Sequence, residues 1–111
     1  MNISKEKNNR ILIITIEEKE ANLSKSELFK ELVSHEIDNG EHEIIISFKK
    51  VAYLDSSFLG ALVAILKKLL PVNGKLVLID LNKDIENLFE LTRLDKIFVL
   101  KNDLKTAEAY F

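Results

Sequence analysis

The chain has no cysteine, a single proline (Pro71), three glycines and two histidines in 111 residues. Without a thiol there is no disulfide, no thiolate metal site and no cysteine nucleophile. His35 and His42 are too few for a histidine-based metal centre unless carboxylates complete it, and neither a metal nor any other cofactor is expected. With so little glycine and proline, no stretch has the composition of a linker, and no internal repeat is visible. Residues 1–111 therefore read as one domain, of a size that builds a core without covalent or metal staples. A basic stripe is also missing. The 16 Lys and Arg and the 18 Asp and Glu are dispersed to a net charge of -2, which argues against a nucleic-acid partner. The longest apolar run, Phe58 to Leu70, is broken by Lys67 and Lys68, and the N-terminus lacks a signal-peptide pattern. The expectation is a cytoplasmic protein with no membrane insertion.

What the chain does have is periodicity. Asn2 to Ser4 reads as a short strand, Lys5 to Asn9 as a polar turn and Arg10 to Ile16 as a firmer strand, together an N-terminal hairpin. Ser24 with Glu27 forms a capping-box pattern, and Leu28, Leu32 and Val33 mark a helix that ends at Asn39-Gly40. Glu43 to Phe48 is a buried strand, and Leu59, Leu62, Val63, Leu66 and Leu70 recur at helical spacing behind it. Lys75 to Asp80 is a further strand, and Asn82 caps a helix carrying Ile85, Leu88 and Phe89. Ile97 to Leu100 is a last strand, and Asn102 or Asp103 opens a terminal helix with Leu104, Ala107 and Tyr110 inward. The charged groups Lys5 to Lys7 and Glu17 to Glu20 read as solvated turns. Continuous apolar strands alternating with helices predict an α/β fold, with a mixed, mainly parallel sheet, about four helices and an N-terminal β-hairpin. In such sheets, sites gather at the carboxyl ends of strands, where loops enter helix N-termini.

One segment sits at such a position: Val51-Ala-Tyr-Leu-Asp-Ser-Ser-Phe-Leu-Gly60. Asp55 and Ser56 are residues that cap helices, accepting from amides that have no partner in the first turn. The same amides and the positive end of the helix dipole favour an anion beside Ser57. Helical spacing favours Phe58 as a core residue, whereas an exposed Phe58 would be a docking hot spot. Tyr53 reads as half-buried with its hydroxyl at the surface.

The ordered set of Val51-x-x-Leu54-Asp-Ser-Ser57, the Leu59-Gly60 pair, Asn73-Gly-Lys-Leu-Val-Leu-Ile79 and Leu88-Phe-Glu-Leu-Thr-Arg-Leu-Asp-Lys-Ile-Phe98 resembles the STAS domain, in particular the bacterial anti-sigma-factor antagonists. The likeness runs from about Arg10 to the C-terminus. It implies a non-enzymatic switch that binds an anti-sigma factor which is also a serine kinase, thereby freeing a sigma factor. Phosphorylation of Ser57 would turn it off, and a serine phosphatase would reset it. Asp55 and Ser56 would support the phosphosite, and Phe58, Asn22 and Tyr53 would meet the partner. The chain departs from the family pattern in having Phe58 where Gly usually follows the serine pair, Ser47 where the preceding strand often has Asp, and Asn22 where an acidic residue is common. The rival within the family is a permanent adaptor in a transport or lipid-trafficking complex, without a phosphorylation cycle. Two enzyme-like or receiver readings fail in the sequence. A hydrolase elbow needs Gly-x-Ser-x-Gly, and a phospho-acceptor receiver needs an Asp where Ser47-Phe48 stands. Self-association is left open.

Overall fold

A computed structural model describes all residues, Met1–Phe111. Five strands form the main sheet: β1 (Ile3–Asn8), β2 (Ile11–Ile16), β4 (Glu43–Ser47), β6 (Lys75–Ile79) and β7 (Val99–Lys101), in spatial order β1-β2-β4-β6-β7. β1 is antiparallel to β2, and every other neighbour is parallel. Two short strands, β3 (Glu20–Ala21) and β5 (Tyr53–Leu54), pair in parallel outside this sheet. The helices are α1 (Leu23–Asp38), α2 (Ser56–Leu69), α3 (Lys83–Leu91) and α4 (Leu104–Glu108).

Strand alternation divides the apolar residues between two cores. Ile44 and Ile46 of β4 join Leu12, Ile14, Leu76 and Leu78 under α1, α2 and α3. Ile45 points the other way, with Ile11, Ile13, Val77 and Ile79, towards Ala107 of α4. Burial on both faces is why the central strands read as unbroken Ile and Val runs rather than as an alternation. The second face is covered by only the five-residue α4, through Leu104 and Ala107, and the partly buried Phe111.

α1 and α2 pack side by side and run in the same direction. The amide of Leu23, first in α1, bonds to Asp55, the cap of α2, while Asp38 at the end of α1 pairs with Lys68 near the end of α2 at 2.9 Å. Phe29 and Phe58 stack across the two helices, with ring centroids 4.9 Å apart at 31°.

Several boundaries differ from the sequence reading. β1 continues to Asn8, so Lys5 to Lys7 are strand and not turn, and only Asn9 and Arg10 turn, with Asn9 at φ 59°. Lys5 and Lys7 are not merely solvated, since they reach Glu36 (2.6 Å) and Glu41 (2.8 Å). α1 is capped by Asn22 rather than Ser24, and its inward stripe is Ser26, Phe29, Val33 and Ile37, leaving Leu28 on the surface. The last strand begins at Val99 and not Ile97, and Leu70, Ile97 and Tyr110 are exposed. Asp103, not Asn102, caps α4.

Candidate functional site

The site forms where β4 ends and the chain crosses to α2. Val51 turns on Phe48 through a backbone hydrogen bond of 3.0 Å, and the amides of Ala52 and Tyr53 both donate to the Lys19 carbonyl. The Asp55 amide donates to the Ala21 carbonyl at 3.2 Å, extending the β3–β5 ladder to the threshold of α2. From α3, the Asn82 side chain donates to the carbonyls of Val51 and Ala52 (3.3 and 3.2 Å) and accepts from the Ile85 amide (2.9 Å). Three elements thus fix the segment that carries the serines.

Asp55 has extended backbone geometry, and its Oδ1 accepts from the Phe58 amide at 3.0 Å, as expected of a cap. Its Oδ2 accepts from the Leu23 amide of α1 at 2.9 Å. One carboxylate therefore serves two helix starts. Because the helices run in the same direction, the positive ends of both dipoles converge on it. Ser56 is the first residue of α2 and exposed, and Ser57 is the second and half-buried. Asn22 accepts from the Ser24 amide (3.1 Å) and hydroxyl (2.6 Å) and so acts as the cap of α1.

The structure brings Tyr53, Asp55 and Ser56 together around one hollow, Asn22 precedes the Leu23 whose amide Asp55 holds, Ser57 is half-buried in the next position of α2, and Tyr53 is more exposed than expected, at 57%. For Phe58 the core reading holds, and its assignment as a partner contact is corrected. It is fully buried against Phe29 and cannot serve as a surface hot spot, because helical geometry turns the third residue of α2 into the α1–α2 interface. Leu23 was missed: it is 69% exposed beside Asp55. Nothing in the sequence marks it, since position 23 stands in helical register with the buried Ser26 and Ile37 and is exposed because it opens the first turn of α1.

Ser47, which stands where an acidic residue is common, is buried and donates to Asp80 at 3.0 Å, so the carboxylate is supplied by the neighbouring strand's end. Beside the loop, Glu17, Glu18, Lys19, Lys49, Lys50 and Asn82 line an open hollow of about 550 Å³. The Lys50 ammonium and the Ser4 hydroxyl hold Glu17 below the usual carboxylate range. The Asn2 amide and Lys25 do the same for Glu18. These carboxylates tie the N-terminus, α1 and the β4–β5 loop together, and are more than a solvated turn. No three histidines or carboxylates converge.

Known proteins share this fold. The STAS domain family model matches residues 2–107. A protein of Thermotoga neapolitana assigned as an anti-sigma factor antagonist is 31% identical over 97 residues, covering 86% of each chain. The crystal structure of an assigned anti-sigma factor antagonist from Thermotoga maritima superposes with a TM-score of 0.90 at 25% identity, covering 97% of this chain and 92% of that one. The Bacillus cell fate determinant SpoIIAA in its phosphorylated form shares the fold, with a TM-score of 0.75 at 18% identity, covering 99% of this chain and 100% of that one.

Proposed function

The chain belongs to the STAS domain family and groups with its anti-sigma factor antagonists, and from that premise we propose that it is a cytoplasmic, non-catalytic binding switch gated at Ser57. Unmodified, it binds an anti-sigma factor that is also a serine kinase, and a sigma factor is freed. Phosphorylated on Ser57, it lets that partner go until a serine phosphatase restores it. The observation that carries this reading is the position of Ser57 in the first turn of α2, next to exposed Ser56 and two residues from Asp55, whose carboxylate also holds the Leu23 amide of α1.

The energetics favour a change of surface over a change of fold. Phosphate adds a charge of about -1.5 to -2. A helix start favours that charge by roughly 0.3 to 1 kcal/mol at an exposed site, and the Asp55 carboxylate opposes it by a comparable amount once screened. A partner docked over Leu23 and Tyr53 would instead have to bury an unpaired charge, at several kcal/mol. In the kinase complex, transfer also leaves the phosphoserine facing the nucleotide's remaining phosphates, which are like charges.

The test is intact mass and peptide mapping of the protein from its native cells across growth phases. Variable phosphate on Ser57 is the expected result. A Ser57 that stays unmodified while the protein is abundant overturns the switch in favour of a permanent adaptor. With the partner in hand, Ser57→Ala should bind like the wild type and Ser57→Asp more weakly, though less so than phosphoserine, since one carboxylate has less charge and fewer acceptors. Equal binding by the two variants would sink the electrostatic argument.

A further inference from the structure

A cleft of about 450 Å³ lies between β5 and the first turns of α3, against the serine loop. Its walls are apolar, formed by Tyr53, Leu54, Ile85 and Leu88, and its only charged lining groups are Asp55 and Asp84. Both oxygens of Asp55 are already occupied by the amides of Phe58 and Leu23. Asp84 is exposed in the first turn of α3 and makes no ion pair, the six salt bridges of the molecule lying elsewhere. An apolar cleft with an exposed, unpaired carboxylate among its lining groups complements a side chain with a long hydrocarbon stem and a positive tip.

We propose that this cleft is the anchor for an arginine or lysine side chain presented by the protein partner, its stem lying along Tyr53, Ile85 and Leu88 and its charge paired with Asp84. That a protein partner exists rests on the antagonist reading, whereas the chemistry of the occupant is read from the cleft. Ser56 lines the cleft and Ser57 does not, so anchoring and modification use separate contacts. The anchor would hold the partner in register while the charge state of Ser57 decides whether the complex lasts.

The test is an NMR titration of the full chain with hexylguanidinium, with hexanol and hexanoate as controls that keep the stem and change the tip. Saturable shifts at the amides of Tyr53, Ser56, Asp84 and Leu88 are expected for the cation, weaker by about threefold in Asp84→Asn, the range of an exposed ion pair. Shifts from hexanoate as strong as those from the cation, or cation shifts scattered over the surface, would overturn it. The same shifts arising from protein concentration alone would do so too, by assigning the cleft to a second copy. The titration uses unmodified protein, so an unphosphorylated Ser57 in cells would remove the switch and leave this result standing.

Discussion

Phe58 and Gly60 sit two residues apart in the serine segment and make opposite demands. Phe58 has no solvent exposure and stacks on Phe29, so Phe58→Ala removes a ring and leaves a cavity between α1 and α2. A loss of about 3 to 5 kcal/mol is expected, read as a lower denaturation midpoint with an unchanged slope. Gly60 is exposed within α2, and a Cβ built there meets nothing within 4 Å. Gly60→Ala should therefore stabilise the fold by about 0.5 to 1 kcal/mol, because alanine loses less backbone freedom on entering a helix. If the same variant binds the partner less well, the loss is steric contact one turn below Ser56 and not unfolding. Asp55 can be dissected in the same way. Asp55→Asn keeps one acceptor oxygen and should release one of the two amides it holds, whereas Asp55→Ala releases both and should cost about 0.5 to 2 kcal/mol for the cap alone. Hydrogen exchange at the Leu23 and Phe58 amides would show which bond each variant loses.

At the scale of elements, each of the four helices opens on an Asn or Asp cap: Asn22, Asp55, Asn82 and Asp103. Three of these starts are legible in the sequence. The first is masked, because Ser24 matches a capping box although its amide is the donor that Asn22 receives. The central strands are legible because burial on two faces leaves them apolar throughout. β1 is legible only at its beginning. An edge strand in water carries polar side chains, and Lys5 to Asn8 look like a turn until Lys5 and Lys7 are seen to pair with Glu36 and Glu41. The serine loop is readable as a helix start, but which neighbours share its surface is not, since Leu23 and Asp84 arrive from elements 32 and 29 residues away from Asp55 in sequence (55 − 23 and 84 − 55). The turn into β6 adds a further constraint. A Cβ on Gly74 would lie 2.6 Å from Leu69 Cδ2 and 2.8 Å from the His42 carbonyl oxygen. Gly74→Ala should therefore destabilise the protein, by about 1 to 3 kcal/mol as overpacking does, and a thermal melt would show it.

Across the whole molecule, Glu17, Glu18 and Asp103 all titrate below their ordinary values in the folded state. A depressed folded pKa means that the stabilisation is present above the unfolded value, near pH 4 for carboxylates, and is lost as pH falls through the folded one. The melting temperature should hold steady from neutral pH down to that region and fall below it. Replacing Glu17 and Glu18 together by Gln should flatten that fall, and an unaltered profile would show that these carboxylates add nothing to the fold. The unequal cover of the two sheet faces has its own consequence. Two long helices and α3 seal one face, while α4 and the chain end alone seal the other. The molecule should consequently open in a fixed order, with α4 lifting as a separate, low-energy unit well before the β2-β4-β6 centre exchanges its amides. A brief opening of that kind bares the strip of Ile11, Ile13, Ile45, Val77 and Ile79, so the pace at which this protein is clipped or clumps would be governed by residues 104–111 rather than by its serine loop.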